Sequence, residues 1–290
     1  MTSLVDNPTA SGAANPATLD AHSIPAPGHG EAAVLAQREF QRFVAVLESL
    51  SPEDWDRPTA CPLWSVRQVV AHVTGAAAAF SSWASFLRQG SPSVQRPYRE
   101  RGMSQLDAMN QIQVDDRADR TPAQLLSELR EVGPRAIATR RRLPLPLRAL
   151  RVPLPPLGGW VAIGYLTDVI YPRDMWLHRF DICCAANRPK ALDSEHDGRL
   201  TALVMRDLER TRDWRAALGS INVVYHLTGP AGGTWRFGRA REAPAVELTL
   251  DALQFHLLAS GRRTVNEIAV EVAGDSAVAA RALSATTVPY

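Results

Sequence analysis

Asp174 and His178 stand four residues apart in the stretch Tyr171–Ile182, and an isolated histidine, His72, lies far upstream of them. On an α-helix that spacing puts the carboxylate and the imidazole on one face, a turn apart. A third ligand delivered by another helix would complete a three-ligand divalent-metal site with an open position, the arrangement of catalytic zinc. His72 is the candidate for that third ligand. The chain is therefore required to form two helices and to bring their faces together. Spacing alone is weak evidence, because a chain with 7 histidines and 30 acidic residues shows about one such pair by chance.

The surrounding sequence supplies the helices. Residues 31–50 carry Val34, Leu35, Phe40, Phe43, Val44 and Leu47 at helical spacing, and Ser51-Pro52 closes the run. Ser65 is placed to cap a second helix with the stripe Val66, Val69, Val70 and Val73, and His72 lies at the edge of that stripe. Residues 88–104 read as loop. Thr121-Pro122 opens a third helix to about Arg142, with proline at its first position. The segment 143–159 contains five prolines and two glycines and reads as a non-helical lid or lining. Its surroundings hold Arg140, Arg141, Arg142, Arg148 and Arg151, a solvated basic cluster or an anion-binding rim. A fourth helix spans about 164–186, with Pro172 kinking it or marking its start and Asn187 suited to its C-terminal cap. Four helices with one long connection predict a bundle, whose core is where facing side chains build metal sites. Asp181 shares the face of His178 and is a candidate to support it or, equally, to pair with a surface arginine; Arg173 and Arg179 read as exterior ion-pair formers.

After residue 193 the pattern changes. An arginine-rich helix over 194–218 precedes three strand-like segments, 221–228, 232–237 and 246–250, and then helices over 251–260 and 276–285. The expected architecture is α plus α+β: a disordered lead-in over 1–30, a helical metal-binding domain over 31–190 and a small α+β domain over 191–290.

Composition narrows the function classes. Net charge is +2 with 21% charged residues, so no field calls for nucleic acid or an anionic membrane as partner. No apolar run approaches the roughly 20 residues of a membrane span, and residues 1–30 lack the features of a secretory signal. Three cysteines, Cys61, Cys183 and Cys184, form no disulfide framework and fit a reducing cytoplasm.

The stretch from Trp55 through Cys61-Pro62-Leu63-Trp64-Ser65 to His72, followed by Pro172-Arg173-Asp174-Met175-Trp176-Leu177-His178-Arg179-Phe180-Asp181, resembles the mycothiol-dependent maleylpyruvate isomerase family. Leu250-Asp251 through Gly261-Arg262 is similar to the same family's C-terminal domain. The resemblance implies a DinB-like four-helix bundle followed by a sterol-carrier-like α+β domain. It also implies a divalent metal, usually zinc, on His72, Asp174 and His178, and the thiol cofactor mycothiol in place of a metal-bound water. A zinc-bound thiol loses its proton near neutral pH and becomes a nucleophile toward a small electrophile, in an isomerase or an S-transferase. Arg262, from the matched C-terminal element, is the implied cationic partner for a carboxylate and for the cofactor; Asn110 stands where family members often carry asparagine lining the pocket. One departure is visible: family isomerases carry glutamate where this chain has Asp174, and the shorter carboxylate withdraws by about 1.5 Å. A metal protein working without mycothiol, as a Lewis-acid hydrolase, and a non-catalytic small-molecule binder are the alternatives.

Overall fold

The computed structural model describes residues 18–154, 159–238 and 242–290. The chain begins its described course in a sheet: β1 (Leu19–Asp20) pairs in parallel with a later strand, and Ala21 and Ile24 enter the core behind it. The expectation of a disordered lead-in over 1–30 is therefore corrected from residue 18 onward, because burying Ala21 and Ile24 offsets the entropy of ordering this segment. Residues 1–17 lie outside the described residues.

Helix α1 (His29–Glu48) and α2 (Val66–Ser81) follow the predicted stripes. Ser65 and Gln68 form the capping box that starts α2, with Ser65 N–H donating to Gln68 Oε1 at 2.9 Å. The region read as loop instead forms α3 (Trp83–Gly90) and α4 (Pro92–Arg99), and α5 (Gln105–Asp115) comes next. Caps decide this: Ser82 accepts from Ser85 N–H, and Pro92 sits in the first turn of α4. Helix α6 (Pro122–Arg141) matches its expected bounds. The proline-rich connection is not wholly irregular. It contains a short helix α7 (Leu145–Ala149) and an antiparallel pair, β2 (Arg151–Leu154) with β3 (Gly159–Ala162).

The chain then passes through α8 (Ile163–Tyr165) and a wide π-type turn, Leu166–Ile170, into α9 (Tyr171–Ala185). Tyr171 N–H bonds Leu166 O, five residues back, so the ladder widens just where Pro172 has no N–H to offer. Asn187, at φ 51°, ends α9 in the left-handed conformation, with Arg188 N–H bonding Cys183 O at 2.8 Å.

Helices α1, α2, α6 and α9 share one core containing Phe40, Phe43, Val66, Val70, Leu125, Leu129 and Ile182. Each such side chain contributes on the order of 1.5–3 kcal/mol by leaving water. Gly133 sets how closely α6 approaches α1, since a Cβ there would lie 2.1 Å from Phe40 Cε2.

In the second half, the single long helix expected over 194–218 is two helices, α10 (Asp197–Leu208) and α11 (Arg212–Leu218), the second capped by Thr211. Strands β4 (Val223–Thr228), β5 (Gly233–Phe237), β6 (Val246–Asp251) and β7 (Glu271–Gly274) join β1 in a mixed sheet of order β1-β5-β4-β6-β7. Val223, Tyr225 and Leu227 alternate into the core as read, and α12 (Ala252–Ala259) and α13 (Ser276–Ser284) pack on it. The molecule is mostly helical with a mixed sheet. Among the described residues no helix is long and apolar enough to cross a membrane.

Candidate metal centre

Helix α2 brings His72 and helix α9 brings Asp174 and His178 to one point. His72 Nε2 lies 3.4 Å from Asp174 Oδ2, and His178 Nε2 lies 3.4 Å from Asp174 Oδ1. One ligand atom from each of the three residues falls within 4.8 Å of the others. Both imidazoles are buried, whereas the Asp174 side chain keeps 26% of its surface exposed, so the set is approached from the carboxylate side.

The other ring nitrogens are held from behind. His72 Nδ1 meets Gln113 Oε1 at 2.7 Å, and Gln113 Nε2 donates to Gln89 Oε1 at 2.9 Å. Since Gln113 presents its carbonyl, His72 donates to it from Nδ1, and its Nε2 is the nitrogen turned toward Asp174. His178 Nδ1 likewise meets Asp181 Oδ2 at 2.9 Å. Asp181 is itself gripped from the second half of the chain: Arg262 donates from Nε and Nη2 to its two oxygens, each at 2.6 Å. Support of this kind fixes ring orientation and raises ligand basicity. Trp64 covers the pair, its ring 4.8 Å from His72 and 6.1 Å from His178, with its Nε1 donating to Gln111.

The electrostatics follow from these contacts. Burial pushes the Asp174 carboxyl up, but the two imidazoles beside it outweigh this and hold it well below the usual carboxylate range. For His178 burial disfavours charge, yet Asp174 and Asp181 raise its pKa to about 9. Burial also pushes the Cys61 thiol up, opposed by Arg262, which makes it a poor nucleophile at neutral pH.

The donor set suits a divalent cation. Both Nε2 atoms face the same carboxylate, and each Nδ1 is already engaged. A second acidic cluster, Glu39, His196 and Asp197, is fully buried and of a different nature. Arg179 donates to Glu39 Oε1 at 2.7 Å and to Asp197 Oδ1 at 2.9 Å, so a guanidinium already occupies the place a cation would take.

Of the residues singled out from the sequence, His72, Asp174 and His178 converge, and Asp181 meets both His178 and an arginine, Arg262. Arg262 reaches the site through Asp181. Asn110 is half-buried on α5, one turn before Gln113, and makes no side-chain hydrogen bond among the described residues. Arg173 and Arg179 are not on the helix exterior. Both are fully buried, Arg173 donating to Asp207 at 2.5 Å, because the second half packs over that face of α9. Gln113 and Gln89 escaped the sequence reading, and Trp64 entered it only as part of the motif from Trp55 to His72. Neither glutamine carries a local sign of its role, since Gln113 lies in the mixed polar stretch Gln111-Ile112-Gln113-Val114-Asp115.

Residues 36–183 match the family described as the mycothiol maleylpyruvate isomerase N-terminal domain. A crystal structure of a mycothiol-dependent maleylpyruvate isomerase shares the fold at a TM-score of 0.56 and 15% identity, covering 88% of this chain and 96% of that one. A histidine-to-alanine mutant of such an isomerase gives the same TM-score and coverage at 14% identity. No curated protein matches significantly.

Proposed function

This chain belongs to the mycothiol-dependent maleylpyruvate isomerase family, and from that premise we propose that it is a metal- and mycothiol-dependent enzyme of the isomerase or S-transferase type. We read α1, α2, α6 and α9 as a DinB-like four-helix bundle within residues 31–190, and the sheet half, 191–290, as a sterol-carrier-like domain that also takes up β1. The observation that carries the functional reading is the pair of imidazoles aimed at separate oxygens of Asp174, with both outer nitrogens tied.

His72, Asp174 and His178 would hold a divalent metal, zinc on this donor set. Such a metal supplies the Lewis acidity that turns a thiol into a thiolate near neutral pH. Gln113 and Asp181 keep the two Nε2 atoms turned inward. Trp64 excludes water from one side of the histidine pair, and the exposed edge of Asp174 marks the approach for a ligand. Arg262 positions Asp181 through Nε and Nη2, and its Nη1, which makes no hydrogen bond among the described residues, is offered to a carboxylate of the substrate or cofactor. Asn110 lines the cofactor side. The substrate is a small electrophile, and the three free cysteines fit work in the cytoplasm.

Elemental analysis of the purified chain beside His72→Ala and His178→Ala tests the site. About one metal per chain, lost in both variants, is expected; stoichiometric metal retained in His178→Ala would refute the ligand set. Electrophile-dependent turnover with mycothiol then separates isomerisation, which regenerates the thiol, from S-transfer, which consumes it.

A further inference from the structure

Between Val132 and Thr167 the chain contains six arginines and no acidic residue. Within this stretch α7 and the β2–β3 pair turn apolar side chains to solvent: Leu145 is 80% exposed, Leu150 54% and Trp160 60%, with Leu147 beside them. The segment is held in place. Arg148 pairs with Asp168, Ile163 N–H bonds Leu150 O at 2.8 Å, and β2 and β3 are in register from Arg151↔Ala162 to Leu154↔Gly159.

The cations of this region divide into two groups. Arg135 pairs with Glu131, Arg148 with Asp168, and Arg140 is buried with its guanidinium 4.3 Å from the Tyr171 ring centroid. Arg141, Arg142 and Arg151 are exposed and have no carboxylate partner among the described residues. Three unneutralised guanidiniums therefore flank a set of exposed leucines and a tryptophan. Apolar anchors ringed by arginine, with tryptophan at the boundary, are the chemistry of a surface that settles into the headgroup region of an anionic bilayer.

We propose that the described residues 141–151 and 159–160 form a peripheral docking surface for anionic phospholipid membrane. Leu145, Leu147, Leu150 and Trp160 enter the interface, while Arg141, Arg142 and Arg151 pair with lipid phosphates. The small net charge of the whole chain conceals this, because the positive excess is local. A protein surface of the same apolar character would not require three unpaired cations and a 36-residue stretch free of acid; a phosphate-bearing bilayer accounts for both.

Co-sedimentation of the full chain with phosphatidylcholine vesicles, with and without phosphatidylglycerol, tests the surface. Binding is expected only where phosphatidylglycerol is present, with release at high salt. Arg141→Ser/Arg142→Ser/Arg151→Ser is expected to lower the partition coefficient on the order of 100-fold. Leu145→Ser/Trp160→Ser should weaken it as well, and because all five residues are exposed the variants should keep the wild-type circular dichroism. Absence of binding to anionic vesicles, or binding that both variants retain, overturns the proposal. Self-association lost in Leu145→Ser/Trp160→Ser, with no vesicle binding, overturns it in favour of a second copy of the chain. None of these residues belongs to the metal set, so either outcome leaves the reading of that site standing.

Discussion

His256 gives a prediction whose size can be worked from its contacts. It is fully buried, stacked edge-on against Trp176 of α9 at 4.6 Å. Thr201 Oγ1 donates to Asp197 O at 3.0 Å, so at its 3.0 Å contact with His256 Nε2 the hydroxyl accepts. Nε2 therefore carries the hydrogen, and Nδ1 accepts from the Tyr290 hydroxyl at 2.6 Å. The neutral ring is thus fully satisfied. Burial, with Arg173 nearby, pushes its pKa from 6.5 down to about 3. A base whose folded pKa lies below its unfolded one contributes stability that is present above the unfolded value and is lost as pH falls toward the folded one. Each unit below 6.5 withdraws about 1.4 kcal/mol until the folded pKa is approached, so about 2 kcal/mol is gone by about pH 5 and about 4 kcal/mol by about pH 3. His256→Gln keeps a donor and an acceptor but does not titrate. Urea unfolding of wild type and variant at about pH 7.5 and pH 5 should show the wild type losing about 2 kcal/mol more. His178, raised to about 9, stabilises the metal-free fold below 6.5 and ceases to as pH rises through 9, an opposite trend common to both proteins. Equal losses in the two proteins would refute the assignment of a buried neutral His256.

Four further outcomes are expected. Gln113→Leu frees His72 to rotate, and chelator competition should show metal affinity lowered roughly 10–100-fold with the fold intact; unchanged affinity would remove Gln113 from the site. Asp174→Glu restores the longer carboxylate of the family, and metal content and thiol-dependent turnover should both survive. Arg262→Ala leaves Asp181 without its partner, and should weaken metal binding as well as turnover; a change in KM for a carboxylate substrate alone would mean that Arg262 acts only on substrate. Gly133→Ala drives a methyl into Phe40 and should cost about 1–3 kcal/mol by thermal or urea unfolding, less the part of about 1 kcal/mol that alanine returns in helix propensity.

The candidate ligands were legible because their signal is local: Asp174 and His178 are set by helical periodicity alone, and His72 by its place at the edge of a valine stripe. What supports them was not. Gln113 reaches His72 across 41 positions, and Arg262 reaches Asp181 across 81, and no periodicity encodes either separation. The same logic applies to the fold. The long amphipathic helices α1, α2 and α6 appear in the sequence because one face of each is buried throughout. Strand β7 does not, because all four of its residues are exposed and alternation leaves no trace. Arg173 and Arg179 were misjudged for a related reason. A helix with solvent on one side hides its arginines outward, but α9 is covered on both, and its charges had to find carboxylates in the other half.

The position of β1 has a consequence for how this molecule could be taken apart. The chain enters the sheet at Leu19, leaves it for α1 through α9, and returns to complete it with β4 to β7. The helical half is thus threaded into the sheet half as an insertion rather than joined to its front. Separating them requires two cuts, one near Gly28 and one after Asn187: the second alone leaves the edge strand attached to the helical piece, and the first alone leaves the two halves joined. Arg262 closes the loop from the far side by holding Asp181. A truncation made to isolate the helical half would remove the guanidinium that grips Asp181 behind His178.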